Sequence, residues 1–237
     1  MPITQPQDTA TAFLYKLWPW VEANKNRLIG AGIIAVIAGF IISFYFWRQN
    51  QNEIAAGEAL TEAAISTPPN ANASQLADSY SKIAADFPGT RAGERAAVQS
   101  AAVLFEAGKY PEALAQFQQF LKIHPDSVFS PQAALGVAAS LDVQGKTDLA
   151  SSAYERVISR FSDPNAVSAA KFALAQIGER QGKLAAAEKL YEEVARSNPN
   201  SSLGSEAAMR AMELKTKLPP DSIPSVPPLS LNPNIKP

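Results

Sequence analysis

The chain has 237 residues and a formal net charge of −1, which leaves room for one modest core plus appendages and argues against a dedicated nucleic-acid surface. It contains no cysteine, which excludes disulfides, thiolate metal sites and cysteine nucleophiles. Alanine is abundant and β-branched runs are scarce outside one apolar stretch, so the expected class is all-α.

Residues 1–27 read as a short segment whose Phe13, Leu14, Leu17, Trp18 and Val21 form one apolar face. Two readings fit it: aromatic rings settled at a membrane–water interface, or a short helix packed on something else. Pro19 predicts a kink or a break. Residues 28–47, Leu28 to Trp47, carry no charge and are long enough to cross a bilayer as a helix. The aromatic end Phe44-Tyr45-Phe46-Trp47 and the following Arg48 fit a permanent anchor better than a cleaved signal. Lys16, Lys25 and Arg27 precede the span and Arg48 follows it, so the positive-inside rule places the N-terminus in the cytoplasm and the long C-terminal part outside. Ala31, Ala35, Gly39 and Ser43 share one face at four-residue spacing. That pattern either lets a second membrane helix pack closely or reflects the usual abundance of small residues in such helices.

Residues 48–93 are expected to hold a linker helix continuing the anchor and, over about Gly57 to Thr90, a degenerate repeat. The loop Thr67 to Ser74 contains Pro68-Pro69, and a helix from Leu76 to Phe87 turns Tyr80 and Ile83 inward. Residues 94–201 repeat a pattern three times. Gly108, Gly145 and Gly182 stand 37 residues apart, followed in phase by Ala113, Ala150 and Ala187 and by Phe117, Tyr154 and Tyr191. Such a period marks stacked helix pairs: glycine permits the turn, small residues let the helices cross closely, and the ring fills the gap. Ser130 is expected to cap the helix opening at Pro131. Residues 202–217 form a final amphipathic helix expected to cap the stack, and the proline-rich residues 218–237 read as a disordered or polyproline tail.

These residues resemble the tetratricopeptide repeat, whose usual period is shorter by three residues. The fold class is therefore all-α: a single N-terminal transmembrane helix, then a tetratricopeptide-repeat α-solenoid of about three clear repeats plus one degenerate, with a capping helix. No catalytic constellation appears, and no cofactor or metal site is expected. His124 is the only histidine, and Gly145-Lys146-Thr147 lacks the phosphate-loop glycine because position 140 is Ser. Repeat phase assigns a candidate peptide groove to Arg95, Val98, Ala102, Phe105, Gln132, Leu135, Ala139, Asp142, Phe172, Gln176 and Glu179. The alternative is that these side chains pack against the capping helix or a neighbouring repeat.

The order of parts is similar to the YfgM family, most tellingly in the anchor followed by Arg48 and the helix Glu53 to Ile65. The repeats, with Phe120-Leu121-Lys122-Ile123-His124-Pro125-Asp126-Ser127, look equally like those of the cell-division coordinator CpoB and the assembly lipoprotein BamD, neither of which has such an anchor. The YfgM resemblance implies an ancillary subunit of the Sec translocon in the bacterial inner membrane, with its repeats in the periplasm among chaperones. The CpoB resemblance implies an envelope-assembly or division adaptor using the same groove.

Overall fold

The computed structural model describes residues 9–66 and 72–218, which contain nine helices and no strand. The first, α1 (Thr9–Ser66), is helical throughout, Pro19 included. The expected break is absent: proline removes one rung of the hydrogen-bond ladder, and the long flanking runs keep the others. Along its uncharged span the large apolar side chains, among them Ile33, Phe40 and Trp47, are exposed. The helix is long and apolar enough to cross a membrane by length and composition. Ala31, Ala35, Gly39 and Ser43 are exposed along it, and a Cβ added at Gly39 would meet nothing within 4 Å.

The chain divides into two compact units between Ala55 and Ala56. The second begins with the last turns of α1, whose Ala59, Leu60 and Ala63 pack beside Leu76, Tyr80 and Ile83 of α2 (Ala73–Asp86). Then follow α3 (Arg91–Glu106) and α4 (Tyr110–Ile123), α5 (Ser130–Val143) and α6 (Thr147–Arg160), α7 (Pro164–Arg180) and α8 (Leu184–Ser197), and finally α9 (Ser202–Lys217). Each helix from α2 onward packs on the next, and the leading helices α3, α5 and α7 also touch in series. The expected tail from 219 onward and most of the loop after Ser66 lie outside the described residues.

Why the chain turns where it does is local chemistry. Gly108, Gly145 and Gly182 have φ of 76°, 74° and 74°, a left-handed conformation that an L side chain adopts only with strain. Each terminates its leading helix in a Schellman arrangement. The amide of Lys109 donates to the carbonyl of Leu104 at 2.9 Å, that of Lys146 to Leu141 at 3.0 Å, and that of Lys183 to Gly178 at 2.8 Å. Helix starts use different caps. The side-chain oxygens of Thr90 and Ser201 accept from the amides of Gly93 and Gly204, each at 2.9 Å, and Asp163 accepts from Ala166 at 2.7 Å. Ser130 does not cap α5, because it is already the helix's first residue; its hydroxyl donates to the carbonyl of His124 at 2.6 Å.

The leading helices vary from 14 residues in α5 to 17 in α7, and the connections before them vary inversely, which keeps the repeat in phase. The first and third helix pairs are also closed at their open ends at one register. His124 Nδ1 lies 3.3 Å from Glu94, and two repeats on, Asn198 donates to Ser168 Oγ at 2.6 Å. The core is the row of small and aromatic residues between helices: Ala113 and Phe117, Ala150 and Tyr154, Ala187 and Tyr191, all buried.

Candidate functional site

The inner face of the stack is built by α3, α5 and α7. A cavity of about 320 Å³ opens on it. Ala102 and Phe105 from α3, Gln132, Leu135 and Ala139 from α5, and Ala169 and Ala173 from α7 line it, above a floor of Phe117, Tyr154 and Gly136. Five of these, Ala102, Phe105, Gln132, Leu135 and Ala139, belong to the groove expected from repeat phase.

Others do not line it. Val98 is 1% exposed and Phe172 is 8% exposed; both are core residues. Phe172 meets the ring of Tyr191 edge-on, with centroids 5.2 Å apart, in the cluster that α9 closes with Ala207, Ala211 and Leu214. This is a correction to the sequence reading. The register of 98, 135 and 172 points partly into the helix interface, and of the three only Leu135 remains half-exposed. A Cβ at Gly136 would run into the ring of Phe117, so the missing side chain lets that ring lie across α5 and form the groove floor. Arg95 is exposed and Gln176 half-buried, both outside the cavity lining.

Asp142 and Glu179 are engaged in links between repeats. Arg180 of α7 reaches Asp142 of α5 at 2.6 Å, and Arg210 of α9 lies 3.9 Å from Glu179. The Tyr191 hydroxyl donates to Glu179 at 3.2 Å. These acids tie successive units together, with the phenols beneath them. Burial, reinforced by the charge of Asp142, pushes the Tyr154 phenol up to about 12, and burial with Glu179 pushes Tyr191 up as well.

Sequence reasoning missed Gly136, Ala169 and Ala173. The signal was present, since 136 and 173 share one register and 132 and 169 another, but the choice of face between adjacent registers requires the rotation of each helix. Among the described residues no group of three His, Asp or Glu side chains is placed to hold a metal ion.

A stack of antiparallel helix pairs with an apolar inner groove defines a protein–protein interaction scaffold of the helical-repeat class. The chain belongs to the tetratricopeptide repeat-like domain family, whose profile matches residues 19–153, and a tetratricopeptide repeat profile matches residues 135–202. None of the curated proteins matches it by sequence. Similar solved structures include a kinesin light chain protein of nearly identical TPR-like repeats from Podosopora anserina, at 13% identity and a TM-score of 0.43, covering 72% of this chain and 96% of that one.

Proposed function

We propose that the protein is a membrane-tethered docking scaffold of the bacterial inner membrane, with its N-terminus in the cytoplasm and its repeats in the periplasm. Its role is that of an ancillary subunit of the Sec translocon, holding periplasmic chaperones or emerging chains. The observation that carries the docking role is the apolar groove between Ala102, Leu135, Ala139 and Ala169, open along the leading helices. Tethering is supported by the exposed apolar span of α1 and by the cations Lys16, Lys25 and Arg27 ahead of it. A single family match runs from residue 19 to 153 and so takes in both that span and the first repeats. The order of parts seen in the YfgM family is the basis for naming the translocon.

The test is site-specific photocrosslinking in membranes. A photoreactive residue at Ala139 or Ala169 captures a translocon subunit or a periplasmic chaperone, whereas one at Lys122, on the exposed side of α4, does not. Capture of neither class of protein at the groove overturns the assignment, and concentration of a tagged copy at the division septum points instead to a division adaptor. Ala169→Glu removes capture while the helical content stays unchanged.

A further inference from the structure

The last helix has the register of a leading helix, but among the described residues no second helix pairs with it as α4, α6 and α8 pair with α3, α5 and α7. In α7, two residues show which face turns toward the paired helix α8. Lys171 Nζ meets Glu193 of α8 at 2.9 Å, and a Cβ on Gly178 would stand 3.4 Å from that of Ala187. Between them on the same face lies Ala175, which is fully buried, as are Ala101 and Ala138 at the same register of α3 and α5. Thirty-seven residues on, these positions are Ala208, Met212 and Lys215 of α9. Met212 is 73% exposed. With Ala195 and Arg196 of α8, the three line an open slot of about 530 Å³ between α8 and α9.

The continuation of the chain is unsuited to fill the slot as a helix. The same phase puts Pro219 at the register of the turn glycine, Pro224 at that of Ala187 and Pro228 at that of Tyr191. Proline inside a helix removes a hydrogen bond and clashes with the preceding turn, so the small and aromatic residues that seat α8 have no counterpart.

We infer that the slot between α8 and α9 receives an amphipathic helix from a partner protein, which completes a fourth helix pair. The chemistry of that helix follows from the interface the fold already uses three times. Its buried side carries a small residue, an aromatic ring four positions on and an aliphatic residue three further, as in Ala187, Tyr191 and Val194. Its flank is acidic. The rim holds Arg196 and Lys215 against one acid, Glu192, which lies 3.8 Å from Arg196. Lys215 stands at the register of Gly178, which faces Ala187, so the carboxylate that pairs with it lies near the start of the partner helix, beside its small residue. The slot is separate from the inner groove and does not depend on what that groove binds.

The test uses the full chain in lipid nanodiscs and a labelled, stapled peptide with the sequence of α8, Leu184 to Ser197, followed by fluorescence anisotropy. The expected result is saturable binding. Met212→Glu in the protein weakens it at least tenfold, replacing the tyrosine of the peptide by Glu does the same, and Ala169→Glu in the inner groove leaves it unchanged. Met212 is exposed, so its substitution leaves the fold intact, which circular dichroism checks. Absence of binding overturns the inference. So does binding that appears only after residues 219–237 are deleted, which makes the chain's own tail the occupant. A concentration-dependent dimer that Met212→Glu abolishes, with no peptide binding, overturns it in favour of a second copy.

Discussion

Replacing Phe172 by alanine removes a ring that is 8% exposed and packed edge-on against Tyr191. Truncating a buried phenylalanine costs about 3–5 kcal/mol, of which the aromatic pair accounts for roughly 0.5–1.5 kcal/mol. Domains of this kind hold only about 5–15 kcal/mol in total, and each kcal/mol shifts the melting temperature by about 2–4 °C. Phe172→Ala is therefore expected to lower the melting temperature of the full chain by on the order of 10 °C, read by circular dichroism in nanodiscs. Phe172→Glu sharpens the result. A carboxyl group at this site is desolvated, so its folded pKa rises above the unfolded value, and the protonated variant is the more stable one. The penalty grows as pH rises from 5 to 8. Melting temperatures unchanged by Phe172→Ala, or a Phe172→Glu penalty independent of pH, refute the burial argument and return Phe172 to the groove surface.

Gly145→Ala forces a side chain into φ of 74° and should cost about 1–2 kcal/mol, whereas Gly57→Ala, in a helix with open space around it, should be neutral or stabilising; urea midpoints distinguish them. Gly136→Ala drives a methyl into the Phe117 ring and should cost about 1–3 kcal/mol, and the Gly136→Ala, Phe117→Leu double variant should recover part of it by making room. The Tyr154 phenol, raised from 10.0 to about 12, contributes stability that is complete below pH 10 and is lost as pH rises from 10 to 12. That loss amounts to roughly 2–3 kcal/mol, and Tyr154→Phe should flatten this part of the unfolding profile. A double-mutant cycle on Asp142 and Arg180, paired at 2.6 Å between α5 and α7 at a partly exposed site, should return a coupling of about 0.5–1 kcal/mol that shrinks at high salt.

The helix pairs could be read from the chain because their causes are local. A glycine at 108, 145 and 182, a small residue five positions later and a ring four beyond that each act within one helix pair. The groove was legible only in part. Ala102, Phe105, Gln132, Leu135 and Ala139 of the expected set line the cavity, but Val98 and Phe172 share Leu135's register and are buried. One residue along a helix is a rotation of about 100°, so a small difference in how units turn against each other moves a side chain from surface to core. Phase alone does not supply that rotation. Likewise Ser130 carries a strong local signal for a cap that the surrounding helix overrode, and Pro19, a signal for a kink or a break, leaves the helix unbroken.

The sequence by itself determined the all-α class, the repeat count and phase, the turn positions and the presence of one uncharged span long enough for a bilayer. Those properties depend on composition, periodicity and backbone preference, which are encoded residue by residue. Only the tertiary structure decided that Phe172 is core, that Asp142 and Glu179 bind neighbouring repeats, that Gly136 opens the groove floor and that Met212 of α9 is exposed beside an open slot. Each of these rests on distances between residues far apart in the chain, set by how closely the helices approach when their small residues meet.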